Sequence, residues 1–374
     1  MRIADFKLER YFAKWEFHAP YLLCSSDLEG WRMGELLALA DADGRERWER
    51  LSLGYTESAG LPALREEVAR LYPGLGPEHV LMFAGAEEAL FILMNVLLGP
   101  GDHAVVLWPG YQSLYEVARA TGADVSLVRL RPEDGWRLDL EAVKRELRPN
   151  TKLLVTNFPH NPTGALPDLD TWKALFALAR ERGTHVLADE VYRLLEYDPA
   201  DTLPAGAELS ERGVSVGVMS KAFGLAGLRV GWLASRDTAL LARCAAYKDY
   251  TSICNAAPSE VLALIALRAR ERVLARSREI LARNLAELDG FFARRAEHFR
   301  WVRPRGGSVA FPQLLDERPV GTFCERLVAQ EGVLLLPGDV YDMPGNHFRL
   351  GLGRLNLPDA LGRLERFCDT FFSR

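Results

Sequence analysis

The chain has 374 residues, 48 % of them hydrophobic and 26 % charged, and a net charge of −5. That is the composition of a globular protein, long enough for one large domain with a satellite or for two of ordinary size. The acidic balance argues against nucleic acid or an anionic membrane as partner, and no apolar run approaches the ~20 residues of a membrane-crossing helix.

The stretch 1–45 mixes charge with Tyr11, Phe12, Trp15, Phe17, Tyr21 and Trp31, which is too apolar for a disordered tail. It is expected to pack as an arm on the body of the protein or on a partner subunit. Its first ten residues carry mixed charge and no apolar core, unlike a signal peptide. From Tyr55 the pattern becomes regular. A helix opens at Leu61-Pro62, followed by a strand at His79–Phe83, a small-residue turn Ala84-Gly85-Ala86, and an apolar helix from Glu87 to Leu98. Further strands are predicted at Ala104–Trp108, Val125–Leu130, Leu153–Asn157, His185–Ala188, Val214–Met219 and Val230–Ala234. Helices at Gln112–Thr121, Leu169–Arg182 and Thr238–Tyr247 lie among them. Strands alternating with helices predict an α/β fold with a mostly parallel sheet covered on both faces.

After Pro258 the texture changes to one long helix, Ser259 to about Ala296. Short strands near Trp301–Val302, Val309–Phe311 and Val333–Leu336, and helices at Thr322–Gln330 and Pro358–Phe372, complete a smaller α+β domain. The expected division is an arm at 1–45, a large domain at 46–257 and a small domain at 258–374 that includes the long helix. Cys24, Cys244, Cys254, Cys324 and Cys368 form no Cys-x-x-Cys pair, and the seven histidines show no metal-ligand spacing. Reduced thiols and a cytoplasmic location are the expectation, with no metal.

The residues that carry chemistry fall at strand ends, where ligands bind in parallel α/β sheets. Ser220-Lys221 closes the apolar run Val214–Met219, and Arg229 follows eight residues after Lys221, past Gly224 and Gly227. Partial burial lowers the pKa of a lysine, and a neutral amine is what a Schiff base requires. An amine for an aldehyde and a fork for a phosphate suggest pyridoxal 5′-phosphate, although the same residues also read as an exposed lysine and a surface arginine. Gly85-Ala86-Glu87 offers the backbone N–H groups of a helix start to an anion, as many turns do without binding anything. Asn157-Phe158-Pro159-His160-Asn161-Pro162-Thr163-Gly164 is more specific: its prolines fix an unusual path with amide side chains turned inward. Ala188-Asp189-Glu190-Val191-Tyr192 ends another apolar strand in a carboxylate that must be satisfied, and a protonated pyridine nitrogen would do so.

From about Tyr55 to Arg349, these elements in this order closely resemble the fold type I, class I/II aminotransferases, which use pyridoxal phosphate. The resemblance implies the fold of that family, a large domain with a mostly parallel mixed sheet plus a smaller α+β domain. It implies that Lys221 bonds the cofactor aldehyde and later moves a proton between the α-carbon and C4′. Asp189 is then the partner of the pyridine nitrogen, and Asn161 and Tyr192 bond the ring oxygen. Tyr111, in Trp108-Pro109-Gly110-Tyr111, stacks on the ring. Gly85, Ala86 and Glu87 with Ser220 and Arg229 hold the phosphate. Tyr55 reaches the phosphate of a neighbouring subunit, implying a homodimer. Arg349 clamps the substrate carboxylate, and Pro337-Gly338 resembles the turn before it. Two departures stand out: Val218 occupies a position that often holds Ser or Thr, and Ala84 and Ala86 leave the phosphate loop without hydroxyls.

The implied activity is transfer of an amino group between an L-amino acid and a 2-keto acid. The same constellation also serves elimination or cyclisation, as in carbon–sulfur lyases and cyclases, because function lives in the site and not in the fold. Ser25-Ser26-Asp27-Leu28-Glu29-Gly30-Trp31 stands where relatives have a glycine-rich strand over the substrate. Asp27 or Glu29 is therefore a candidate for meeting an amine or guanidinium on the substrate, the alternative being two solvated loop carboxylates. Trp15, Lys248 and Tyr250 are candidate walls. No Gly-x-Gly-x-x-Gly turn follows a strand, which argues against a nicotinamide dehydrogenase.

Overall fold

The computed structural model describes residues 2–373. A seven-stranded sheet is built from β1 (Val80–Phe83), β2 (His103–Trp108), β3 (Asp124–Arg129), β4 (Thr151–Asn157), β5 (His185–Asp189), β6 (Gly213–Val218) and β7 (Gly231–Ser235). The order across it is β1-β7-β6-β5-β4-β2-β3. Pairs from β3 through β6 are parallel, and β7 runs antiparallel to both β1 and β6.

Strands covered on both faces read as continuous apolar runs, and β6 and β7 are buried at every residue. Alternate side chains serve opposite faces. Ala104 and Val106 pack with the helices Ala86–Leu97, Ser113–Ala120 and Thr238–Lys248, whereas Val105 and Leu107 pack with Leu140–Glu146 and Leu169–Glu181. Because β1, β2, β4, β5 and β6 all point the same way, their carboxyl ends open onto one edge.

The C-terminal third adds β8 (Phe299–Arg300), β9 (Val309–Ala310), β10 (Gln313–Leu314), β11 (Leu336–Pro337) and β12 (Phe348–Gly351). β10 pairs with β8, and β12 lies between β11 and β9. Helices Val320–Glu331 and Leu357–Phe372 pack beside them, around Phe299, Phe323, Phe348, Phe367 and Phe371.

Three expectations for this part need correction. The single long helix is two, Ala257–Arg268 and Arg270–Arg294, broken at Ala269. Arg268 reaches Asp41 and Asp43 on one side of the break and Arg270 reaches Glu67 on the other, so tertiary ion pairs hold the turn. The strand near Trp301 lies two residues earlier, at Phe299–Arg300. In Val333–Leu336 only Leu336 belongs to a strand, β11, and Val333 makes an isolated bridge to Tyr21.

The N-terminal arm packs on the body of its own chain. Its helix Lys7–Trp15 buries Leu8 and Phe12 beside Leu336, Tyr341 and Met343. The Lys7 backbone N–H donates to Gln112 Oε1 at 2.9 Å, and Gln112 Nε2 donates to the Asp5 carbonyl at 2.8 Å. Among the described residues no helix is long and apolar enough to cross a membrane.

Candidate active site

The strand ends and the N-terminal helix enclose a cavity of about 380 Å³. β4 delivers Asn157, β5 delivers Asp189, and the turn after β6 delivers Ser220 and Lys221. Ala86 and Glu87 enter from the helix after β1, Tyr111 from the segment after β2, and Arg349 from β12. Asn161, Tyr192 and Arg229 complete this set, and Val218 lines the wall where a hydroxyl was noted as missing.

Lys221 Nζ donates to Ser26 Oγ at 2.9 Å and lies 5.7 Å from the centre of the Tyr192 ring. Burial pulls its pKa down to about 8, against the opposing pull of Asp27 and Asp189. Asp189 is the reverse case. Burial raises its carboxyl to about 7, and its hydrogen bond is the Val191 N–H at 3.3 Å. Tyr192 and Tyr111 are also raised by burial, so both hydroxyls stay protonated.

Around them runs a network of hydrogen bonds. Asn157 Nδ2 donates to the Asp189 carbonyl at 3.0 Å, and Asn157 Oδ1 accepts the Asn161 N–H at 2.7 Å. Asn161 Oδ1 accepts from the Tyr341 hydroxyl at 3.2 Å. Arg349 donates to that same hydroxyl at 2.8 Å, and through Nε and a terminal nitrogen to the Cys24 carbonyl at 3.1 and 2.9 Å. The guanidinium is 1 % exposed, so it is positioned before any ligand arrives.

These residues fit pyridoxal phosphate on structural grounds. Gly85 has φ +98°, and a Cβ there would stand 2.7 Å from the Arg229 guanidinium. The bare glycine keeps the helix start and the arginine close enough to share one anion. Arg229 itself is held in the left-handed region, at φ +53°, a cost of about 1–2 kcal/mol that returns its side chain to the cavity. A buried Asp189 suits a protonated ring nitrogen, and Lys221 is a low-pKa amine in the same cavity.

Several predicted residues lie elsewhere. Glu29 is outside the lining, because its carboxylate accepts the Leu355 N–H at 3.1 Å in a recess beside Arg354 and Asn356. Its alternative, Asp27, does line the cavity and is paired with Arg354 at 3.0 Å. Trp15 is not a wall; its ring takes Lys14 at 4.6 Å. Lys248 is buried under the carbonyls of Ser58 and Met82, and Tyr250 is 91 % exposed. Tyr55 is 92 % exposed and borders a different recess of its own chain.

Sequence reasoning also missed residues. Tyr341, which joins Asn161 to Arg349, follows the Pro337-Gly338 turn and carries no signal of its own. Leu8, Glu9, Phe12 and Glu16 come over the cavity on the N-terminal helix, of which the sequence singles out Trp15 alone as a candidate wall, although their spacing is helical. Glu87 was assigned for its backbone, yet its carboxyl lines the cavity, accepts from Ser113 Oγ and is raised by burial.

Comparison with known proteins gives this arrangement its context. The family model for aminotransferase class I and II matches residues 23–360. The chain is 33 % identical over 352 residues to capreomycidine synthase of Streptomyces vinaceus, covering 93 % of this chain and 88 % of that one. It is 32 % identical over 315 residues to arginine–pyruvate transaminase of Pseudomonas aeruginosa, covering 80 % and 77 %. Among solved structures, a PLP-dependent aminotransferase from Streptococcus suis superposes with a TM-score of 0.93 at 32 % identity, over 99 % of both chains. The chain therefore belongs to the class I and II aminotransferases of fold type I, and its cofactor is pyridoxal phosphate.

Proposed function

We propose that the protein moves an amino group between an L-amino acid and a 2-keto acid, with the cofactor held on Lys221. The observation that carries this reading is the Lys221 amine, brought to a pKa of about 8 in the cavity that also holds Asp189 and Arg349. Pyridoxal phosphate, when bound, supplies an electron sink beside the α-carbon of the amino acid. Asp189 keeps the ring nitrogen protonated, a state favoured by neutralising its buried charge. Asn161 and Tyr192, which line the same cavity, would hold the ring oxygen. Arg349, already oriented by Cys24 and Tyr341, takes the α-carboxylate with two parallel N–H groups. Lys221 would be the group that takes the α-proton of the amino acid, a general base poised near the working pH. Ser26 holds the amine on that side of the cavity.

We infer also that the working unit is a homodimer, in which Tyr55 of one protomer reaches the phosphate site of its partner. Its 92 % exposure supports a role outside its own chain. A second reading is elimination or cyclisation by the same groups. It is favoured by the relative named capreomycidine synthase, a name that does not describe amino transfer.

One spectroscopic experiment tests both readings. The purified protein is expected to absorb near ~420 nm, to lose that band on borohydride treatment, and to lack it in Lys221→Ala. Conversion to a band near ~330 nm with release of a keto acid supports amino transfer. Release of ammonia, or a product that keeps its amino group, supports the second reading. No band with added cofactor overturns the assignment of Lys221.

A further inference from the structure

We propose that the cavity selects an amino acid whose side chain carries a positive charge, an ammonium or a guanidinium, held by Glu9, Glu16 and Asp27. This rests on the amino-acid-binding reading above and names the substrate class.

Glu9 and Glu16 stand seven positions apart on the helix Lys7–Trp15 and its C-cap, two turns along one face. Leu8 and Phe12 occupy the same face, giving an apolar strip for a methylene chain between two carboxylates. Asp27 approaches from the next segment of chain. All three line the cavity that contains Lys221 and Arg349, so an amino acid anchored by its α-carboxylate would extend its side chain along an acidic wall.

The wall holds three carboxylates, and Arg354 and Arg349 offset part of their charge. Glu16 is raised from the usual carboxylate range first by burial and then by the negative charges of Asp27 and Glu9. Arg354 pairs with Asp27, and Arg349 is oriented by the Cys24 carbonyl and Tyr341 for the α-carboxylate end of the amino acid. Lys7, next to Glu9, is paired with Asp342. A second observation points to a ligand. Ser25 lines the same cavity at 3 % exposure, and its Oγ has no hydrogen-bond partner among the described residues. A polar group that deeply placed costs free energy until something bonds it. A guanidinium carries five donors in a fixed fork and can address a hydroxyl and two carboxylates together, whereas an ammonium offers three. A neutral side chain would cover the carboxylates without compensating them, and an acidic one would be repelled.

The test uses holoenzyme locked by borohydride, so that binding is read without turnover. Calorimetry compares L-arginine, L-lysine, L-citrulline (the neutral counterpart of arginine) and L-glutamate. L-arginine or L-lysine is expected to bind at least about tenfold more tightly than L-citrulline, with L-glutamate weakest. The order of arginine and lysine distinguishes guanidinium from ammonium. In Glu9→Gln/Glu16→Gln, which alters the mouth of the cavity and not the core, the arginine-to-citrulline ratio is expected to fall about tenfold. Equal binding of arginine and citrulline by the wild type, or an unchanged ratio in the double variant, overturns the proposal. The absorbance before reduction is a separate readout. A normal band with no charge preference defeats this inference alone, and a missing band defeats the assignment of Lys221.

Discussion

Asp189 is held in the structure at an energetic cost that its chemistry requires. Its folded-state pKa is raised from 3.8 to about 7 by burial, so the folded carboxyl keeps its proton to higher pH than the unfolded one. Stability is therefore undiminished below about pH 4 and falls as pH rises toward 7. A shift of about three units corresponds to about 4 kcal/mol as an upper figure. Asp189→Asn removes this liability. The cofactor-free variant is expected to melt several degrees above cofactor-free wild type at pH 8, with the gap closing by pH 4, while the loaded enzyme loses amino-acid turnover by orders of magnitude. A gap that is the same at both pH values would show that the carboxyl is not desolvated. Arg349 makes a different prediction. Lysine there keeps the charge and loses the fork, so Arg349→Lys should retain the ~420 nm band and weaken amino-acid binding by about tenfold or more, read by titrating that band. Asp189, Lys221 and Asn161 could be read from the sequence because a strand-end carboxylate, lysine or amide conflicts with its apolar surroundings, whereas Arg349 came from the family resemblance alone. Glu16 and Tyr341 could not, since an acidic residue on a helix and a tyrosine after a turn conflict with nothing nearby.

At the scale of elements, the strands of the large sheet were legible because burial on both faces leaves them uniformly apolar, and the structure moves their ends by only a residue or two. The strands of the C-terminal third are mostly two residues long, too short for alternation to exist. The break at Ala269 sits in Leu267-Arg268-Ala269-Arg270, a run that favours helix, and the ion-pair partners of Arg268 and Arg270 at the break are distant in sequence. β6 shows how tightly the legible part is packed. Gly217 lies four residues before Lys221, and a Cβ there would come within 2.3–2.5 Å of the Trp232 indole. That indole donates to the Tyr72 hydroxyl at 2.8 Å. Gly217→Ala should displace the ring and cost about 1–3 kcal/mol, seen as a lower melting temperature, with the lysine strand and its absorbance band retained. An unchanged melting temperature would mean that the indole has room to move.

For the whole molecule, three of the four most exposed large apolar side chains, Phe17 being the fourth, lie in two segments, 53–55 and 250–254. Leu53, Tyr55 and Tyr250 are 84, 92 and 91 % exposed, and Ile253 is 49 % exposed. Leu53 and Tyr55 border a recess with Ser252, Cys254 and Pro258, so the segments 53–55 and 252–258 meet at one surface, and Tyr250 precedes it in the chain. Exposed apolar surface gathered in this way marks an interface. A homodimer would cover it and carry Tyr55 to the partner's proposed phosphate site, for which this chain offers backbone amides, Ser220 and Arg229, with Ala84, Ala86 and Val218 contributing no hydroxyl. A cup so poor in hydroxyls should depend heavily on a donor from outside. Sedimentation is expected to give a dimer, and Leu53→Glu/Tyr250→Glu a monomer that loses cofactor on dialysis. Tyr55→Phe separates the two contributions, since it should remain dimeric yet release cofactor several-fold more readily. Cofactor retention by a monomeric wild type, or by Tyr55→Phe at the wild-type level, would mean that each chain completes its own phosphate site.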